Sequence, residues 1–127
     1  MSGLQQQMEY WLERIDERWA TKAPSRIHED SLYSGLIYKM KDAGDEAHIT
    51  INTDTEFWAR VYNVIRNQPH LRTLIELMLC SLGYAEFIDG KLQPDREAYW
   101  RRACEEVSLH AEQFVKVMPE PTEGGEA

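Results

Sequence analysis

The chain has 127 residues, is 43 % hydrophobic and 28 % charged, and carries a formal net charge of −8. That length fits one domain with a sizeable core, and the acidic balance argues against nucleic acid as a direct ligand, because phosphate binding needs a basic face. The excess is uneven: the last nine residues hold three acids and no base, so the remainder is a mixture of signs rather than the unopposed acidity of a DNA mimic.

The N-terminus, MSGLQQQMEYW, has no basic stretch leading into an apolar block, so no signal peptide is expected and the cytoplasm is the default compartment. Leu4, Met8, Trp11, Ile15 and Trp19 then recur at helical spacing, with Leu12 widening the stripe, and predict a first helix to about Lys22. Ala23-Pro24 ends it. A second helix is expected from Ser25 or Asp30 to about Asp42, with Tyr33, Leu36, Ile37 and Met40 as its apolar face and Gly44 as its cap. Gly35 inside it would mark a close crossing or a bend. His28-Glu29-Asp30 reads as a solvated helix start rather than a metal site, since three consecutive residues on a helix point apart.

Residues 45–52 read as a polar loop holding a short β-branched run, AHITI, that fits a small strand. Thr53-Asp54-Thr55-Glu56 has the form of a capping box. It predicts a third helix over 54–67, with Phe57, Val61, Val64 and Ile65 inward and Trp58 and Tyr62 flanking. A central helix from Pro69 to Ser81 or Leu82 is apolar on nearly every face and so belongs in a core, with Gly83 closing it. Tyr84-Ala85-Glu86-Phe87-Ile88 alternates and is followed by Asp89-Gly90, which predicts a small hairpin over 84–93. The last helix runs from Pro94 to about Val117 with two adjacent stripes: Tyr99, Ala103, Val107, His110, Phe114 and Met118, and beside it Trp100, Cys104, Ala111 and Val115. Cys80 and Cys104 are expected to be free buried thiols. The sum is a mainly α fold: one domain over 1–118, a bundle of about five helices with at most one hairpin, and a disordered acidic tail over 119–127.

The order strand, helix, helix, hairpin over residues 49–93 resembles the core of a winged-helix domain, an α+β alternative to the bundle. That resemblance implies a DNA-reading second helix and a basic wing. The matching positions here offer only Arg72 and Lys91, so even within that family protein association is the better expectation.

Catalytic chemistry finds no foothold. His48, His70 and His110 are scattered, without the H-x-x-x-H or C-x-x-C spacing of a metal site. No glycine-rich phosphate loop occurs, and Ser81 lacks the G-x-S-x-G setting of a nucleophile elbow. Neither an enzyme nor a cofactor is expected. Four Trp and six Tyr, residues favoured as interface anchors, point to a protein partner, most simply a second copy in a homodimer. Trp11, Trp19, Tyr99, Trp100 and Phe114 are the candidate contact residues. By analogy with compact acidic proteins of mobile elements, a phage-type inhibitor of a host complex is the leading context. A degenerate winged-helix regulator using Arg60, Arg66, Arg72, Arg96, Arg101 and Arg102, or an assembly chaperone or adaptor, is the alternative.

Overall fold

The computed structural model describes residues 2–22 and 25–119. In chain order they form α1 (Ser2–Lys22), β1 (Ser25–Asp30), β2 (Tyr38–Asp42), β3 (Ala47–Asn52), a π-helical segment (Trp58–Tyr62), α2 (Pro69–Leu92), a 3-10 turn (Pro94–Arg96) and α3 (Glu97–Lys116). The strands make one mixed sheet in the order β1-β3-β2. β1 runs parallel to β3, with Ser25 opposite Ala47, and β2 runs antiparallel to it, with Tyr38 opposite Ile51. This is an α+β fold, and the expectation of a mainly α bundle of about five helices is overturned.

β3 is the strand the sequence shows best. Ala47, Ile49 and Ile51 are 0 % exposed while His48 and Thr50 point to the other face, the period-2 pattern of a half-buried strand. The expected second helix is instead two strands joined by the loop over residues 31–37. Tyr33, Leu36, Ile37 and Met40 do sit at helical spacing, yet Ile37 is buried and Tyr33 is 92 % exposed at φ +52°. What overrides the local pattern is Asn52, itself fully buried. Its Oδ1 accepts from the Leu32 and Asp54 amides, and its Nδ2 donates to the Ser34 and Leu36 carbonyls. One carboxamide thus satisfies three backbone groups of the irregular 31–37 loop and the Asp54 amide beyond β3, groups that could not otherwise be buried cheaply. Gly44 is a turn residue at φ +95° between β2 and β3, not a helix cap.

The capping box expected from Thr53 and Glu56 gives way to other partners. Thr55 Oγ1 accepts the Trp58 amide, and the Glu112 carboxylate from α3 accepts the Glu56 and Phe57 amides. The following turn is wound as a π-helix, which displaces the inward face: Tyr62 is buried and Val64 is 54 % exposed, the reverse of the expected arrangement.

α2 continues unbroken through residues 84–92, so there is no hairpin over 84–93 and no wing; the winged-helix likeness ends there. Tyr84, Phe87 and Ile88 fit helical spacing as well as they fit alternation, an ambiguity short apolar runs carry. Gly83 lies mid-helix, where α2 crosses β3: a Cβ there would stand 2.0 Å from Ile49 Cδ1. It is a crossing glycine, not a cap. α2 lies over the buried face of the sheet, and α3 adjoins β2, its Ser108 Oγ accepting the Ile37 amide and its Cys104 Sγ donating to the Tyr38 carbonyl. The core comprises Ile37, Tyr38, Ile49, Ile51, Tyr62, Leu79, Cys80 and Cys104, and both cysteines are free. α1 has its main contact with α2. The acidic tail beyond Pro119 lies outside the described residues.

Candidate functional site

α2 spends its apolar residues on two opposite arcs. The inner arc, Thr73, Leu79, Cys80, Gly83 and Phe87, is buried against the sheet. At 100° per residue the outer arc spans about 160° and holds Leu71, Leu74, Leu77, Met78, Ser81, Leu82, Tyr84, Ala85, Ile88 and Leu92. Met78 is 65 % exposed and Leu92 74 %, with the other large apolar side chains of the arc between 38 % and 44 %.

The polar groups on this arc are arranged to leave it apolar. Ser81 Oγ donates back to the Leu77 carbonyl at 2.7 Å, so its hydroxyl is satisfied within the helix. Asp89 is turned away: its Oδ2 accepts Trp100 Nε1 at 2.6 Å and lies 3.4 Å from Arg96 Nε. α1 adds to the same apolar inventory, since Leu4, Met8 and Trp11 remain more than half exposed. This is the stripe that spacing assigns to a core.

The expected contact residues do not form one cluster. Trp11 is exposed on α1, and the side chain of Trp19 lies outside the described residues. Tyr99 is exposed, with the Arg96 guanidinium 4.5 Å over its ring. Trp100 packs edge-on against it, half-buried, while Phe114 is exposed some 22 Å further along α3. Of the two stripes of α3, the one with Cys104 and Val115 faces inward and the one with Val107 and Phe114 faces solvent. Sequence reasoning missed the outer arc of α2 because a helix apolar all round was assigned wholly to the core. The signal was present: an unbroken apolar circumference also fits a helix packed on one side within the chain and on the other by a partner.

A second feature is the cleft between β2, α2 and α3, a cavity of about 340 Å³ lined by Met40, Asp42, Glu86, Phe87, Glu97 and Trp100. Burial, reinforced by the nearby Glu97 charge, raises the Glu86 carboxyl above its ordinary value. With Asp42 already paired to Lys91, Glu86 and Glu97 beside the Trp100 indole are chemistry for a cation. At the edge of the adjoining hollow Cys104 has its thiol pushed up by burial, which keeps it protonated and a poor nucleophile. On the opposite face of the sheet the His28 and His48 rings stack at 5.0 Å, and His48 Nε2 lies 2.8 Å from Glu46 Oε1. Among the described residues no group of three His, Cys, Asp or Glu side chains could hold a metal ion.

The six arginines of the nucleic-acid alternative are largely engaged. Arg66 pairs with Glu29, Arg96 with Asp89 and Arg101 with Glu97, while Arg72 lies 4.0 Å from Glu76 and Arg60 donates to the Met118 carbonyl. Among the described residues no helix is long and apolar enough to cross a membrane. No protein-family model, curated protein or solved structure matches this chain.

Proposed function

We propose that this chain is a non-enzymatic protein-interaction module that binds through the outer arc of α2, extended by the apolar stripe of α1. The observation that carries the reading is the size and continuity of that arc. Its large apolar residues together expose roughly 700 Å², at or just above the ~300–600 Å² of the largest apolar patch on a typical monomer. The sequence-derived expectation of a surface on the first and last helices is thereby moved toward α2, with Trp11 as its outlying aromatic anchor.

The test is site-specific photocrosslinking in the native host, with benzoylphenylalanine at Met78 and, as control, at Lys41 on the opposite face of the sheet. A discrete protein adduct from position 78 and none from position 41 is the expected result. Equal yields at the two sites, or none at 78, would remove the reading.

A further inference from the structure

We infer that the partner seated on the outer arc of α2 is a second copy of this chain, packed antiparallel about a twofold axis near Ser81. The inference rests on the reading of α2 as a protein-binding surface and adds the identity of the occupant.

Three features of the arc argue for self-association. The first is area. The roughly 700 Å² on α2 approaches the ~800 Å² per partner of a standard interface.

The second is self-complementarity, which a twofold interface requires because each surface must fit itself. Along the line Leu71, Leu74, Met78, Ser81, Ala85, Ile88 and Leu92 the side chains are small only at Ser81 and Ala85, with Leu77, Leu82 and Tyr84 flanking them. Antiparallel pairing of this line about Ser81 brings Leu74 opposite Ile88 and, to within one residue, Leu71 opposite Leu92 and Met78 opposite Ala85, large against small where the helices approach most closely. It also opposes the two helix dipoles.

The third is charge. The chain carries −8, so two copies repel through most of their surfaces. From Leu71 to Leu92 this arc presents no unpaired charge, since Asp89 is held by Trp100 and Arg96. Like chains can meet here without burying an ion, and Ser81 enters the contact with its hydroxyl already bonded.

The experiment uses the purified full chain in sedimentation velocity, with the crosslinking of Met78 beside it. The expected species has twice the 14.9 kDa chain mass and tightens with added salt, because screening relieves repulsion between acidic copies while apolar contact persists. Met78→Glu should weaken dimerisation at least about 30-fold with an unchanged circular dichroism spectrum. Ser81→Cys should form a disulfide-linked dimer under mild oxidation and Glu106→Cys on α3 should not; the native Cys80 and Cys104 are 1 % and 8 % exposed and contribute little background. A monomeric wild type whose residue 78 crosslinks to a different protein would overturn the second copy and leave the interaction module standing. A monomer without any adduct at 78 would overturn both. A dimer that survives Met78→Glu, or in which Ser81→Cys fails to link, would place the interface elsewhere and overturn the proposed packing.

Discussion

The inner and outer arcs of α2 are made of similar residues and meet opposite fates. Inward, Leu79 and Cys80 join the cluster of Ile49 and Tyr38, Phe87 is buried, and Gly83 lets helix and strand touch. Outward, Leu74, Met78 and Ile88 meet solvent or a partner. The difference lies in what faces them. The inner arc is met by a strand whose own side chains alternate to fit it, so packing there is dense and intolerant of added volume. The outer arc faces no strand: α1 contacts α2, yet Met78 and Leu92 stay mostly exposed, a composition that the association proposed above would explain.

That contrast is sharpest at Gly83. Gly83→Leu should unfold the chain or cost more than about 4 kcal/mol, because overpacking here drives a large side chain into a fully buried isoleucine. Urea denaturation followed by circular dichroism reads this directly. Ile49→Ala should cost about 2–5 kcal/mol by leaving a cavity. The pair Gly83→Ala and Ile49→Val should be non-additive, since valine lacks the Cδ1 that the new Cβ would strike. Strict additivity would show that the helix–strand crossing is looser than the 2.0 Å approach implies.

Asn52→Ala should cost about 2–3 kcal/mol, because three backbone groups of the 31–37 loop and the Asp54 amide lose their partner at once, with faster amide exchange in that loop as the specific signature. By contrast Met78→Gln, compared with wild type at concentrations dilute enough to be monomeric, should change stability by less than about 0.5 kcal/mol, as expected for a surface site. A loss as large as that of Ile49→Ala would erase the distinction between the two arcs.

The smallest effects are those of two carboxylates, and their signs differ. Glu86 has its pKa raised in the folded chain, so its charged form opposes folding: the group favours the native state below its ordinary value of 4.5, and that contribution is lost as pH rises. Glu86→Gln should therefore stabilise slightly at pH 7 and lose the advantage toward pH 4. Glu29 is held below 4.5 chiefly by its hydrogen bonds from Arg66, with Trp58 Nε1 adding a further donor. Its contribution is present above the ordinary value and disappears as pH falls through the depressed one. Glu29→Gln should destabilise at pH 7, with the difference shrinking in acid. Thermal melts across pH 3–8 distinguish the two, and parallel curves would refute both assignments.

Some of this was legible in the residues. The β-branched alternation of Ala47 to Asn52, the helices at either end and the wide apolar face of the last one all rest on local spacing, whereas the Glu56 amide that the capping box assigned to Thr53 is taken by Glu112 from α3. The helix expected over Ser25 to Asp42 failed because its spacing was helical while its partners were distant. Only the pairing of both flanking strands with β3, and the carboxamide of Asn52 reaching across the loop, turn that segment into sheet. Gly83 failed for a related reason. In sequence a glycine after an apolar run reads as a stop, and only the close approach of Ile49 makes it a residue of the helix interior.

The candidate surface divides the same way. The sequence alone determined that the central helix would be apolar around nearly its whole circumference. Periodicity reports which residues share a face, because it is set by the backbone repeat. Which face the sheet takes, and which is left for something else, is set by the side chains of elements far away in the chain. The tertiary structure decided that the sheet takes the arc around Gly83 and leaves the arc around Met78 uncovered.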